Sequence, residues 1–408
     1  MRIIEKNISL KETHKTKEDF SSLLKNTERE FSTLLDKTCA HKIKEVLDTK
    51  KTRNVRRVFL VGAGGSVSGA RAAYGALSRA AIPRARMSFI ENIGDVDMHE
   101  NEIAELSSPD EYLLFIVSAS GNTLETLVNA DRISAFLRKK FSSCAERTII
   151  VTKETSPLKE FAERGGVSVL LIPERFSGRF SFFSSAGMAP LYAAGADIEN
   201  MLSAAEATEQ EILKNPSSNS AIRTAFTAWS YQKTGKSIFA HLFLDASLAP
   251  LGGWCRQVVA ESIGKRGADG ETIGFLPDII AATADMHSVF QMHMCGKYPA
   301  FFEIVSLANT CGGEYVVSGE YARISPEMYG KKESDICNAL KDAIEKSYTE
   351  NFPATEFLLD ALSEQEIASF MMHKMHETIH LASFFGVNPF DQPCVDVYKE
   401  SARRTLSS

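Results

Sequence analysis

None of the seven cysteines (Cys39, Cys144, Cys255, Cys295, Cys311, Cys337 and Cys394) stands in a CxxC pair, and their number is odd. Such a scattered set in a long chain supplies no disulfide framework and reads as reduced thiols of the cytoplasm. Long apolar runs are missing too. The least polar stretch, about Phe182 to Ala196, is too short and too rich in Ser and Gly to span a bilayer. Met1 to Lys6 hold no apolar signal core. Positive charge is not in excess, since 46 Lys and Arg face 52 Asp and Glu for a formal net charge of −6. That balance argues against nucleic acid or an anionic membrane as partner, so an anionic ligand needs locally supplied donors and cations. What is present, 408 residues at 44% hydrophobic and 24% charged, suits a globular protein of two or three domains.

The pattern along the chain is strand, small-residue loop, helix. Residues 17–48 read as one or two amphipathic helices with Phe20, Leu23, Leu24 and Phe31 on the apolar side. Arg57–Gly62 is a short apolar run followed by glycines and a helix from Val67 to about Arg79. Glu111–Val117 repeats the scheme, with a helix from Thr123 to about Lys139, and Arg147–Thr152 and Val167–Ile172 add two strands. A helical region over roughly 184–233 precedes further strands at Lys236–His241 and Phe301–Val305, and helices follow at about 363–385 and 391–405. Strands alternating with helices imply parallel sheets covered on both faces. No chemistry is visible in 306–362.

Two loops suit an anion. Gly62-Ala63-Gly64-Gly65-Ser66 follows a strand and opens a helix, where glycines permit close backbone approach and the first helical N–H groups attract negative charge. A dinucleotide fingerprint needs a third glycine at Val67, and a Walker loop needs Lys-Ser/Thr where Ala70-Arg71 stand, so neither applies. The plain alternative is a tight turn with Ser66 as N-cap. The second loop clusters the hydroxyls of Ser118, Ser120 and Thr123, with Asn122 and Glu125 spaced as a capping box.

Four further segments follow in order: Ser177-Gly178-Arg179-Phe180-Ser181, Gln257 to Lys265 around Glu261, Asp285-Met286-His287-Ser288, and Asn388-Pro389-Phe390-Asp391-Gln392-Pro393 closed by Lys399. Together with the two loops they resemble the glucose-6-phosphate isomerase family over roughly residues 55–400. The resemblance implies an α/β fold of two doubly wound parallel-sheet sugar-isomerase domains with helical N- and C-terminal segments. The expected boundaries are 1–50, 51–183, 184–233, 234–390 and 391–408. It further implies a homodimer with shared active sites, no cofactor and no metal.

An aldose–ketose isomerase must lift a proton from one carbon and return it to the next, which suits a carboxylate base. The resemblance makes Glu261 that base, at the end of a helix from about Trp254 to Ile263 with Gly264 as its C′ residue, and places Gln257 one turn earlier. It assigns phosphate to Gly65, Ser66, Ser118, Ser120 and Thr123, and the enediolate charge to Arg179, which as an isolated residue would pair with Glu174. His287, contributed by the neighbouring subunit, and Lys399 would open the sugar ring. Three positions depart from the family: Ala119 for a lysine, Asn122 for a threonine and Cys394 for a glycine.

His376-Glu377-Thr378-Ile379-His380 competes with this reading, because HExxH places two histidines and a glutamate for zinc. It falls where the family has a packed helix and is read as such. Mannose-phosphate isomerisation is an alternative within the same chemistry, and a sugar-phosphate sensor is one outside it. A sensor has no need for Glu261, Arg179, His287 and Lys399 together.

Overall fold

The computed structural model describes residues 1–8, 33–50, 52–80, 84–214, 219–267, 270–309 and 313–407. Phe20, Leu23, Leu24, Phe31 and Cys311 therefore lie outside the described residues. Two five-stranded sheets organise the chain. The first contains β2 (Arg57–Gly62), β3 (Arg86–Ile90), β4 (Tyr112–Val117), β5 (Thr148–Thr152) and β6 (Ser168–Leu171), all parallel, in the order β3-β2-β4-β5-β6. Its inner strands are continuous apolar runs because helices cover both faces. Tyr112 to Val117 are buried without exception.

The second sheet repeats this order with a different fifth strand. It contains β7 (Ile238–Phe243), β8 (Leu276–Ala281), β9 (Ala300–Leu307) and β10 (Ala354–Leu359), ordered β8-β7-β9-β10 and parallel. The outer place beside β10 is taken by β1 (Arg2–Lys6), which runs antiparallel. A wholly helical N-terminus is therefore corrected: Cys39–Leu47 forms helix α1, but residues 2–6 close a sheet. Strands β3, β8 and β10 also go beyond the expected set.

Eleven helices of eight or more residues are described. After α1 come α2 (Ser68–Ser78), α3 (Leu124–Phe141), α4 (Pro157–Arg164), α5 (Ser185–Ala194), α6 (Ile198–Lys214) and α7 (Ser220–Lys233). Then follow α8 (Leu251–Ile263), α9 (Glu333–Asn351), α10 (Glu364–Phe385) and α11 (Pro393–Ser407). One apolar core runs through both halves, joining Val58, Leu113 and Phe115 of the first sheet to Phe243, Val305 and Phe357 of the second. Trp254 and Val258 of α8 sit in it, fully buried. Each such large side chain contributes about 1.5–3 kcal/mol of burial, so the two sheets are fixed against each other.

Local geometry corrects three expectations. Ser66 does not cap a helix, because Gly64–Ser66 make a 3₁₀ turn and α2 starts at Ser68. The Asn122–Glu125 capping box does not form: Thr123 occupies the N-cap of α3, without a side-chain cap. Gly264 ends α8 at φ −75°, outside the left-handed region expected of a C′ glycine.

Candidate active site

In an open parallel sheet, ligands bind beyond the carboxyl ends of the two strands where the winding direction reverses. The first sheet reverses between β2 and β4, and these strands end at Gly62 and Val117. Both anion loops therefore converge on one crevice. Gly64 holds φ +53°, which a side chain would strain. A Cβ on Gly65 would lie 2.4 Å from the backbone nitrogen of Arg179, so only glycine lets the two segments touch. In the second loop, the Ser118 and Thr123 hydroxyls are 3.2 Å apart and those of Ser120 and Thr123 3.4 Å apart. The Gly121 N–H donates to the Ser118 hydroxyl at 3.1 Å. Three hydroxyls thus cluster at one strand end.

The opposite wall comes from α8, which crosses from the second sheet and packs on α2. Gln257 and Glu261 are one turn apart on it, and the Gln257 amide donates to Glu261 Oε1 at 2.8 Å. Ser68 of α2 in turn donates to Gln257 Oε1 at 2.6 Å. The other carboxylate oxygen accepts from Arg179 Nη1 at 2.9 Å. Both oxygens of Glu261 are thus oriented, while the side chain keeps 31% of its surface open to the cavity. That exposure matters because a base must meet its substrate.

Arg179 is almost fully buried and uses its whole donor fork. Its Nε donates to Ser262 at 2.9 Å, Nη1 also to Gln392 Oε1 at 2.9 Å, and Nη2 to the carbonyls of Pro389 and Asp391. Burial pulls its pKa below the ordinary value, and the Glu261 carboxylate opposes this. The guanidinium stays charged. Glu174, the partner expected of an isolated Arg179, instead pairs with Lys153. Lys265 anchors the same C-terminal loop through Asp391 Oδ1 at 2.5 Å and the Asn388 carbonyl.

These elements enclose a cavity of about 240 Å³ lined by Gly65, Ser66, Ser120, Thr123, Arg179, Gln257, Glu261 and Lys399. Ser118 sits buried behind them. His287 does not line this cavity; it is exposed, at the end of a 3₁₀ turn after β8. Sequence reasoning missed Gln392 and Tyr398, which also line it, and Ser68 and Ser262, which hold its walls. Gln392 lay within the Asn388–Pro393 motif, and its position there was the available signal. An apolar groove of about 500 Å³ between α3 and α4 carries none of the expected residues.

The HExxH residues face elsewhere. Glu377 accepts from Lys374 at 2.9 Å, and His376 meets Glu209 at 3.2 Å. Helix α10 is buried along almost all of its length. Among the described residues, no three His, Cys, Asp or Glu side chains are grouped to hold a metal ion.

The family model described as phosphoglucose isomerase matches residues 29–408. The chain is 30% identical over 373 residues to the glucose-6-phosphate isomerase of Methanocaldococcus jannaschii, covering 89% of this chain and 87% of that protein. It is 26% identical over 373 residues to a glucose-6-phosphate isomerase of Thermus thermophilus, covering 88% of each. Among solved structures, a hypothetical protein from Thermus thermophilus superposes at TM-score 0.85 with 23% identity, over 96% of this chain and 95% of that one. A glucose-6-phosphate isomerase from Chlamydia trachomatis gives TM-score 0.78 with 21% identity, over 95% of this chain and 78% of that one. No described helix is long and apolar enough to cross a membrane. The family model spans most of the chain and the fold agrees with it, and the chain belongs to the phosphoglucose isomerase family.

Proposed function

We propose that this chain interconverts glucose 6-phosphate and fructose 6-phosphate, the step shared by glycolysis and gluconeogenesis, with Glu261 as the proton carrier. The observation that carries this reading is the open Glu261 carboxylate, oriented from both sides and facing three hydroxyl-bearing loop residues across one small cavity. The phosphate lies on Ser66, Ser118, Ser120 and Thr123, and this fixes the sugar's reacting end at Glu261. Glu261 takes the proton from carbon 2 of the open-chain aldose, leaving an enediolate, and returns it to carbon 1 while the proton of the carbon 2 hydroxyl passes to the carbon 1 oxygen. No atom is gained or lost. Arg179 supplies fixed positive charge to the enediolate, and because it is already ordered, little reorganisation accompanies the step. Lys399 and a histidine move the proton between ring and anomeric oxygens when the ring opens.

That histidine is the partner's His287 in our reading, with the protein acting as a cytoplasmic homodimer. A hollow of about 590 Å³ reaches Glu261 from the side of Lys265, Asn388 and Cys394, and gives an incoming loop room beside the base. A coupled assay for glucose 6-phosphate formed from fructose 6-phosphate tests the activity, and unchanged turnover in EDTA tests the metal-free chemistry. Mixing inactive Glu261→Gln and His287→Ala proteins under subunit exchange is expected to restore activity, since one site in each heterodimer is then intact. Exchange without recovery would rule out the shared site.

A further inference from the structure

The phosphate end of the cavity is rich in hydroxyls and poor in cations. Of the two cations lining the cavity among the described residues, Arg179 has spent its donors on Glu261, Ser262 and the C-terminal loop. Lys399 projects from α11 on the other lip. Within the Ser118–Thr123 loop itself, the side chain between Ser118 and Ser120 is the methyl group of Ala119. A sugar phosphate carries close to two negative charges at neutral pH, and hydroxyls alone leave them uncompensated.

Helix α11 brings a candidate to that loop. Arg403 lies one turn beyond Lys399, so the two share a face of the helix. Its Nη2 donates to the carbonyl of Asn122 at 3.2 Å, which lays the guanidinium on the rim of the hydroxyl loop. The side chain is exposed, and this is its one hydrogen bond among the described residues. No described carboxylate neutralises it there, whereas the adjacent Arg404 is paired with Glu400 at 3.4 Å. A cation held by a single neutral carbonyl keeps most of its donors for an incoming anion.

We propose that Arg403 is a phosphate-binding residue of this chain, supplying the positive charge that Ala119 does not, and that it determines affinity for the phosphorylated sugar. The proposal rests on the reading that the Ser118–Thr123 loop holds the phosphate. The contact is charge-assisted but solvent-exposed, so its loss should raise KM by about three- to tenfold. The phosphate does not react, and the contact is equal in substrate and transition state; kcat should barely move.

Arg403→Gln tests this, because it removes the charge and keeps a polar side chain on that face of α11. The expected result is a higher KM for fructose 6-phosphate, weaker competitive inhibition by inorganic phosphate, and a shallower salt dependence of both. Adding Ala119→Lys to that variant should recover KM. A fall in kcat that Ala119→Lys does not rescue would overturn the proposal and make Arg403 a pin for the loop. Ser120→Ala separates the two readings. If Ser120→Ala weakens both ligands while Arg403→Gln affects neither, the arginine is excluded and the loop stands. If Ser120→Ala affects neither ligand, the phosphate assignment of the loop itself falls.

Discussion

The two sheets share a strand order, yet they place their polar residues in different parts of the strands. In the first sheet the interiors of β2 and β4 are apolar, and the hydroxyls wait at their carboxyl ends. In the second, the corresponding reversal between β7 and β9 is closed by Asp245, whose Oδ2 accepts the Leu307 N–H at 2.8 Å and faces Lys341 at 3.5 Å. Its polar groups lie mid-strand instead. His241 of β7 and Glu303 of β9 are register partners, and Lys374 and Glu377 of α10 complete a cluster in which no side chain is more than 1% exposed. The Lys374 ammonium also sits 4.5 Å from the Phe239 ring centre. A polar group at a strand end is available to a ligand, while one in the middle must be satisfied by its neighbours. The first sheet thus offers strand-end groups to the cavity and the second buries its polar groups mid-strand, while the Glu261 wall comes from α8, which follows β7.

The sharpest way to break this contrast is to remove one charge from the open cavity and one from the buried cluster. Glu261→Gln keeps the shape and the Arg179 contact but loses basicity, so turnover should fall by about 10²–10⁴-fold with the melting curve little changed. Turnover near the wild-type level would remove Glu261 from the chemistry. Lys374→Met should do the reverse, destabilising the fold by about 3–5 kcal/mol because the buried Glu303 and Glu377 lose the cation that they share. Denaturant titration measures that loss, and the surviving folded fraction should keep its KM.

A smaller effect sharpens the contrast through pH. Burial, with the Glu303 carboxylate next to it, pushes the Glu377 pKa up to about 7, while Lys374 acts in the other direction. The folded state therefore binds a proton that the unfolded chain releases near the ordinary glutamate value of 4.5. This contribution is fully present below the unfolded pKa and is lost as pH rises through the folded one. His373 and His241, both pulled down chiefly by burial, act with the opposite sign as they neutralise. Glu377→Gln should leave the histidine part and remove the glutamate part, so that stability declines less between about pH 4.5 and 7 than in the wild type. Parallel stability–pH curves for the two proteins would show that Glu377 does not hold this proton.

Four strands of the first sheet were legible, β3 being the exception, and the reason lies in their composition. Arg57–Gly62 and Tyr112–Val117 are apolar throughout their buried lengths, and glycines or hydroxyls mark their ends. The overlooked strands each carry a polar residue that breaks this pattern. Ser88 in β3 bonds to Glu102; Pro277 and Asp278 interrupt β8; Glu356 in β10 accepts from Ser306 at 2.7 Å and meets Lys6 at 3.1 Å. Most of their partners are remote in sequence, so no local period shows them. The candidate site was legible where the motifs fall, since Glu261, Arg179 and the loops line one cavity. Arg179's true company was not, because the carbonyls of Pro389 and Asp391 have no side-chain signature.

Strand β1 has a consequence for the order in which the protein can be finished. Arg2 reaches Asp360, 358 positions away, while every strand of the first sheet is complete by Leu171. On a ribosome, the first sheet can therefore assemble early, but Arg2–Lys6 has no edge to join until Ala354–Leu359 has emerged. Arg179 waits longer still, for a glutamine 213 positions downstream. The hydroxyl loops are made first, and the cavity is complete only when α8 and the C-terminal segments dock.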